Sequence, residues 1–278
     1  MRRKILSLLL CLLAGSLVAQ TVTQYSTYVG LIQRLFDGFV TIETVLSKGN
    51  HGIGTTDQLH GELLILDGAA YRVNFEGKVE LVGKEETTPY VTLAQVDKKD
   101  ALQVTLPAGT TVADLDDKLL ALTEGKFQKN FPYAIRLEGD FSAARMRSIP
   151  KLQRPYITMT EVVANQSLFN FENHPFTIIG FWNPSYAEAF NPPKWHIHGL
   201  DAAKKAGGHV LAFTTGKDVK VYLWKMTQMD IRMPDSKDFA DANFDQDFND
   251  AVQKINRDQV NSPRAGLSWQ GPQIPCDG

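Results

Sequence analysis

Three of the six histidines in this sequence lie between positions 196 and 209. His196 and His198 are separated by one residue, so in a β-strand their side chains project from the same face. Ten residues separate His198 from His209, which is enough for a hairpin loop that brings His209 alongside on a neighbouring strand. Three converging imidazoles are typical of catalytic metal sites, because they leave positions on the metal open for a substrate.

The spacing of these histidines does not identify the metal, since imidazole suits zinc, iron, nickel and copper. It also leaves open a second interpretation, in which His196 and His198 lie on a polar strand face and His209 is unrelated to them. The sequence therefore predicts a divalent metal site without fixing its occupant.

A carboxylate and a guanidinium elsewhere in the chain are candidates to complete such a site. Glu62 begins a strongly apolar run, where a carboxylate faces either the interior or a cleft. Arg147 follows Arg145 at strand spacing, and a guanidinium can bind a carboxylate substrate with two parallel hydrogen bonds. The alternatives are an exposed edge charge for Glu62 and a surface ion pair for Arg147.

Alternating helices and strands are predicted to position these residues. Hydrophobic periodicity and turn residues predict the following elements. Strands are expected at 61–68, 71–74, 79–82, 90–96, 102–106, 133–137, 141–147, 176–182, 195–198, 209–213 and 219–231. Helices are expected at 25–36, 42–46, 115–122, 160–165 and 244–255. This mixture predicts an α/β (α+β) class, with an N-terminal domain at 20–152, a C-terminal metal-binding domain at 153–260 and an irregular tail at 261–278.

The first nineteen residues have the pattern of a secretory signal peptide. Arg2, Arg3 and Lys4 precede a short apolar run, and small residues surround a cleavage point after Ala19. The run is shorter than the roughly 20 residues that a membrane span needs, so we expect export, to the periplasm or the medium, with no stable membrane insertion after cleavage.

The composition limits the class of protein further. Of 278 residues, 43% are hydrophobic and 22% are charged, and the formal net charge of −2 offers no basic surplus for nucleic-acid binding. We therefore expect a globular protein that has no nucleic-acid partner.

Several short motifs, in the same order, resemble those of the alpha-acetolactate decarboxylase family. The resemblance extends from Gln24 to about Phe239. The matching segments are Gln24-Tyr25-Ser26, Gly52-Ile53-Gly54-Thr55, Gly61-Glu62-Leu63, Asn130-Phe131-Pro132-Tyr133-Ala134, Arg147-Ser148-Ile149-Pro150, Arg154-Pro155-Tyr156, Phe171-Glu172-Asn173, Ile179-Gly180-Phe181, His196-Ile197-His198 and Gly207-Gly208-His209-Val210-Leu211.

The resemblance implies a lyase that decarboxylates acetolactate to acetoin and CO2, a step of acetoin biosynthesis. It implies a zinc ion (Zn2+) bound by three residues, His196, His198 and His209. It implies catalytic roles for Glu62 and Arg147, and substrate contacts for Thr55, Arg147 and Asn256. It also implies two α/β domains, a mixed-sheet N-terminal domain and a small β-barrel-like C-terminal domain carrying the metal, in a homodimer.

One residue departs from the family pattern. The family places a glutamate near the metal where this chain has Asn256, and an amide has no proton to exchange near neutral pH. The departure keeps a second hypothesis open: an exported, non-catalytic or altered-substrate homologue that contains a metal and binds a small hydroxy-keto acid.

Overall fold

The computed structural model describes residues 20–248, 250–252 and 255. Two large β-sheets dominate this part of the chain. Within the described residues, seven strands form the first sheet: β1 (Thr21–Tyr25), β3 (His51–Thr55), β4 (Glu62–Leu66), β5 (Ala69–Val73), β6 (Val79–Leu81), β8 (Tyr90–Ala94) and β15 (Gln228–Arg232). Their spatial order is β15-β1-β8-β3-β4-β5-β6. All neighbours are antiparallel except β1 and β15, which run parallel.

The second sheet is built around two long strands. In the part of the chain that the structure describes it contains β9 (Leu102–Leu106), β10 (Tyr133–Ser148), β11 (Ser167–Asn183), β12 (Lys194–Asp201), β13 (Gly207–Thr215) and β14 (Val219–Lys225). One half of β10 pairs with β14 and the other half with β13, while β11 pairs along nearly all of it. Because β11 also pairs with β12, and β12 with β13, these pairings close a circuit through β10.

Short elements cover the ends of the sheets. A two-stranded ribbon joins β2 (Val40–Thr41) and β7 (Thr87–Thr88). The helices found within the described residues are α1 (Tyr28–Ile32), α2 (Ile42–Leu46), α3 (Leu115–Leu122), α4 (Met159–Ala164) and α5 (Lys237–Asp241). A reciprocal capping box fixes the start of α4: the Thr158 hydroxyl accepts from the Glu161 amide, and the Glu161 carboxylate accepts from the Thr158 amide. Each of these helices falls short of the length and apolar character that a bilayer span requires.

The two sheets pack against each other through apolar side chains. Ile53 and Leu64 of the first sheet are fully buried against Ile179, Phe181 and Trp224 of the second. A separate apolar cluster lies beside this interface, where α1 and α4 pack together with Leu59, Tyr90, Val252 and Ile255. The seam, by which we mean the interface between the two sheets, therefore has an apolar core at one side and a helix-lined apolar wall at the other.

The mixed α/β class is confirmed, and the structure corrects several predicted elements. The helix predicted at 25–36 is wrong in extent: β1 occupies 21–25, and positive φ angles at Ser26 and Arg34 confine α1 to Tyr28–Ile32. The single strand predicted at 219–231 is two strands in different sheets, because the amides of Met226 and Thr227 bond outside both of them.

The helix predicted at 244–255 is also wrong in its first part. Residues 244–248 are not helical, since the Asn243 side chain accepts from the Asp245 amide and forms a local turn. The helical residues described there are 250–252 and 255. The two-domain division and the metal-carrying barrel stay predictions; each sheet contains strands from both sides of residue 152.

Candidate metal and carboxylate site

The three histidines meet on the β12–β13 hairpin. His196 and His198 project from one face of β12, and His209 on β13 is the direct cross-strand partner of His198. The three ring centroids are 5.1–5.2 Å apart, and one nitrogen of each ring lies within 4.8 Å of the others. The strand alternation and the hairpin predicted from the spacing therefore bring these imidazoles together.

The neighbouring sheet orients one of the rings. His198 Nδ1 lies 3.0 Å from the carbonyl oxygen of Leu63 on β4, and a carbonyl can only accept, so Nδ1 carries the proton. The Nε2 lone pair of His198 is left for a metal, the arrangement that fixes ring orientation in many metal sites. The Leu63 carbonyl of the first sheet thus orients His198, a candidate metal ligand on the second sheet.

The nitrogen positions suit a bound divalent metal. His209 Nδ1 lies 3.2 Å from His198 Nε2. Two ligands of a tetrahedral zinc, with Zn–N bonds of about 2.0–2.1 Å, are separated by about 3.3 Å. His196 Nδ1 is buried and has no hydrogen-bond partner among the described residues. The three histidines therefore fit a divalent metal by spacing and by donor type.

Burial keeps these imidazoles in the form that a metal binds. It lowers the pKa of His196 to about 3, with the Arg147 guanidinium adding to the effect. Burial and neighbouring positive groups also lower the pKa of His198 and His209 well below the ordinary value. All three rings are neutral near pH 7, so a metal would not have to displace protons from them.

Glu62 and Arg147 approach the histidines from two sides. Glu62 Oε2 lies 3.5 Å from His198 Nε2, and Glu62 Oε1 lies 3.8 Å from Arg147 Nη1. Glu62 Oε1 and Arg147 Nη1 thus form an ion pair but are too far apart for a hydrogen bond. Both atoms are buried and have no hydrogen-bond partner in the described part of the chain. Their unused donor and acceptor face the same pocket as the histidines.

Burial gives Glu62 an unusual acidity. It raises the pKa of Glu62 to about 7, although the Arg147 guanidinium acts in the opposite direction. A carboxyl group in this range exchanges a proton near neutral pH, which is the property that a general acid needs.

Thr55 lies in the pocket wall, next to the turn that leads into Glu62. Its hydroxyl donates to the carbonyl of Gly61 at 2.8 Å, so its oxygen can only accept from a ligand in that geometry. Gly61 has a φ of +75°, and a Cβ there would lie 2.3 Å from the Val73 carbonyl oxygen. The turn needs glycine, and it holds the Glu62 backbone at a fixed distance from β5.

An apolar wall completes the pocket, and the sequence patterns did not single it out. Its members come from distant parts of the chain and share no motif: Tyr28, Leu31, Leu59, Tyr90, Ile149, Met159, Pro192 and Ile255. Most belong to the helix-lined cluster beside the seam. The apolar periodicity of α1 is the one signal that could have marked part of this wall as buried.

The structure thus brings together six of the seven predicted site residues in one pocket, while Asn256 lies outside the described residues. The six are Thr55, Glu62, Arg147, His196, His198 and His209. Such an arrangement can bind an anionic oxygen ligand beside a metal, and Glu62 can donate a proton to that ligand.

Comparison with known proteins identifies relatives over most of the chain. A family model described as alpha-acetolactate decarboxylase matches residues 22–246. The alpha-acetolactate decarboxylase of Methanosarcina mazei is 32% identical over 236 residues, which are 84% of this chain and 79% of that protein. The enzyme of Brevibacillus brevis is 32% identical over 226 residues, 80% of this chain and 76% of that protein.

Solved structures give the same result. The crystal structure of alpha-acetolactate decarboxylase from Bacillus subtilis strain 168 superimposes with a TM-score of 0.79 at 29% identity, covering 86% of this chain and 99% of that one. A Staphylococcus aureus protein of unknown function, described as similar to alpha-acetolactate decarboxylase, has a TM-score of 0.78 at 25% identity and covers 86% of this chain.

Proposed function

Because this chain belongs to the alpha-acetolactate decarboxylase family and is a carboxy-lyase, we propose that it converts 2-acetolactate to acetoin and CO2 with a bound zinc ion. One observation carries the proposal: the convergence in one pocket of three neutral histidines, a buried carboxyl group and a guanidinium nitrogen that has no hydrogen-bond partner among the described residues. Each of these groups matches a need of β-keto acid decarboxylation.

Arg147 serves to bind and orient the substrate carboxylate. Its Nη1 is buried and has no hydrogen-bond partner among the described residues, so a carboxylate gains hydrogen bonds there without breaking any. Holding the carboxylate fixes the direction of the C–C bond that must break relative to the ketone. Such positioning lowers the entropic part of the barrier.

The histidines serve as the metal ligands in this proposal. His196, His198 and His209 would hold the ion and leave its remaining positions to the substrate. When bound, a divalent metal supplies a Lewis acid that stabilises negative charge on the substrate oxygens.

Glu62 serves as the proton donor. When the bond to the carboxylate carbon breaks, CO2 leaves. The electron pair of the broken C–C bond stays with the substrate and is delocalised onto the ketone oxygen. The carbon that lost CO2 must then gain one proton to give acetoin, and the protonated Glu62 side chain provides it. A pKa of about 7 lets this group be protonated in a large fraction of molecules and still regain its proton from solvent.

The proposal is tested by assaying the zinc-loaded protein with racemic acetolactate. We expect equimolar CO2 and acetoin, with one metal per chain by elemental analysis. A His196→Ala/His209→Ala double variant should lose both metal and turnover. Full metal content in this variant would refute the ligand assignment, and a metal-loaded wild-type protein that binds acetolactate without releasing CO2 would favour the non-catalytic homologue.

A further inference from the structure

The site lies across the seam between the two sheets, so its geometry depends on how the sheets are joined beside it. Glu62 is on β4 of the first sheet, whereas Arg147 is on β10 of the second. The 3.8 Å between their side chains is therefore set by contacts between sheets and not by any one strand.

A buried serine bridges the seam at this point. Ser148 follows Arg147 directly on β10 and is 0% exposed. Its hydroxyl donates to the main-chain carbonyl of Val73 on β5, with an Oγ···O distance of 2.8 Å. Val73 is the direct cross-strand partner of Glu62. The bond thus connects the residue after Arg147 to the residue beside Glu62.

We propose that Ser148 is a positioning residue for the carboxylate-binding pair: its hydroxyl fixes the distance between Arg147 and Glu62. This inference rests on the proposed function, because it assigns the pair a carboxylate substrate. Ser148 lies outside the pocket lining and acts through its neighbour on the chain.

The direction of the effect follows from the geometry. Arg147 Nη1 and Glu62 Oε1 are too far apart to form a hydrogen bond with each other and close enough to bind one small ligand together. Loss of the Ser148 hydroxyl leaves the Val73 carbonyl without that donor, and the sheets are then free to shift at the seam. A displacement of about 1 Å at a reacting group can cost about 100-fold in rate, so even a small shift is measurable.

The experiment compares Ser148→Ala with the control Thr215→Val in the zinc-loaded protein. Thr215 lies on β13 and is 1% exposed. Its hydroxyl donates to the carbonyl of Pro107 in a partly buried hydrogen bond and accepts from the Thr110 amide, and it is not in the pocket lining. We expect Ser148→Ala to lower kcat/KM for acetolactate by about 10- to 100-fold with unchanged metal content, and Thr215→Val to change it less than about twofold.

Two ligands that cannot be decarboxylated separate positioning from general weakening of the fold. The acid 2-hydroxy-2-methylpropanoate keeps a carboxylate, whereas acetoin has none. In calorimetric titrations, Ser148→Ala should weaken binding of the acid by about tenfold and that of acetoin less than twofold, since a misplaced Arg147 affects only the charged ligand. Equal losses for both ligands would overturn the proposal.

A double-mutant cycle tests whether Ser148 acts through Arg147. If Ser148 acts through Arg147, then Ser148→Ala in an Arg147→Lys background should cost less than about twofold in binding of the acid. Additive losses would contradict the proposal. Should Ser148→Ala fail to fold, Ser148→Cys, whose thiol is a weak donor of similar size, replaces it with the same expected order of effects.

The calorimetric titrations distinguish failure of the proposed function from failure of the Ser148 proposal. If wild-type protein releases no CO2, the proposed function fails, yet the selective loss of acid binding would still support Ser148 as a positioning residue. If wild-type protein is active and Ser148→Ala matches it in both assays, the proposed function stands and the role of Ser148 is refuted.

Discussion

Arg147 is suited to a planar, charged ligand, and a substitution that keeps the charge tests this. Arg147→Lys retains the positive charge but loses the planar fork that binds a carboxylate through two hydrogen bonds. We expect kcat/KM for acetolactate to fall by about 10–100-fold, with the free energy of unfolding changed much less. Calorimetric affinity for neutral acetoin should stay near the wild-type value. A parallel loss of acetoin binding would show that Arg147 is structural.

His51 illustrates a buried imidazole that the proposed chemistry does not use. It lies between the sheets, with ring centroids 5.8 Å from Phe181 and 5.6 Å from Trp224. Its Nε2 is buried without a hydrogen-bond partner among the described residues, and burial lowers its pKa to about 4.

This low pKa predicts acid sensitivity. Between about pH 6.5 and pH 4 the unfolded chain binds a proton at His51 that the folded chain does not, so stability falls as the pH falls. From pH 7 to pH 5 the contribution of His51 is a loss of about 2 kcal/mol in the free energy of unfolding.

Urea unfolding of wild type and His51→Phe at both pH values measures this contribution, because other titrating groups cancel in the comparison. The variant should lose less stability on acidification than wild type does. An identical pH dependence in both proteins would show that His51 is not desolvated in the folded state.

We propose that Asn256, which lies outside the described residues, limits proton transfer. The resemblance to the family aligns it with a glutamate, whereas an amide has no proton to exchange near neutral pH. General acid–base groups contribute about 10²–10⁴-fold, so Asn256→Glu should raise kcat if this position serves the site. A high native kcat that Asn256→Glu lowers would contradict the sequence correspondence on which the prediction rests.

At the scale of elements, the β12–β13 hairpin must approach β10 closely for the site to form. Gly208 has a φ of +147°, and a Cβ there would lie 2.5 Å from the carbonyl oxygen of Arg147. Any side chain at this position therefore pushes β13 away from β10, and with it His209.

We expect Gly208→Ala to lower both stability and metal content. The loss in free energy of unfolding should exceed about 1 kcal/mol, because alanine is strained at this φ and clashes with backbone. Gly83→Ala is the control, since a Cβ at Gly83 meets only Glu86 side-chain atoms at 3.7 Å or more. Denaturant unfolding and elemental analysis check both variants, and wild-type metal content in Gly208→Ala would contradict the expected displacement.

The strands that carry the histidines were predictable because they follow a local rule. The His-x-His alternation fixes a shared face, and the loop length allows the hairpin that pairs His198 with His209. Contacts across the seam follow no local rule. The carbonyl of Leu63 and the hydroxyl of Ser148 act on residues that are 135 and 75 positions away, so sequence spacing gives no sign of them.

Element boundaries were less predictable where one apolar run serves two sheets. The run from 219 to 231 keeps its β character throughout, yet the chain leaves the second sheet at Met226 and joins the first at Gln228. A hydrophobic pattern indicates which residues are buried, and β14 and β15 are both at least partly buried. The pattern therefore does not show where the chain passes from one sheet to the other.

At the scale of the whole molecule, we propose that the chain is exported and that residues 1–19, which lie outside the described residues, are removed. The basic start and short apolar run support this proposal. N-terminal sequencing of exported protein should find a new terminus after Ala19 or within a residue or two of it. Intact Met1 on membrane-bound material would instead indicate an anchor. We also propose that the chain forms the homodimer that the family resemblance implies, and sedimentation of the same material tests this.

The pairing of β1 with β15 joins two strands that are synthesised at very different times. Thr21 bonds to Gln228, 207 residues further along the chain. A ribosome adding about 5–20 residues per second takes about 10–40 s to synthesise the second strand after the first. Glu62 is made early in that interval and His209 near its end. A nascent chain therefore has no complete site for most of its synthesis. Both the site and the first sheet can be completed only after the last quarter of the chain has begun to be synthesised.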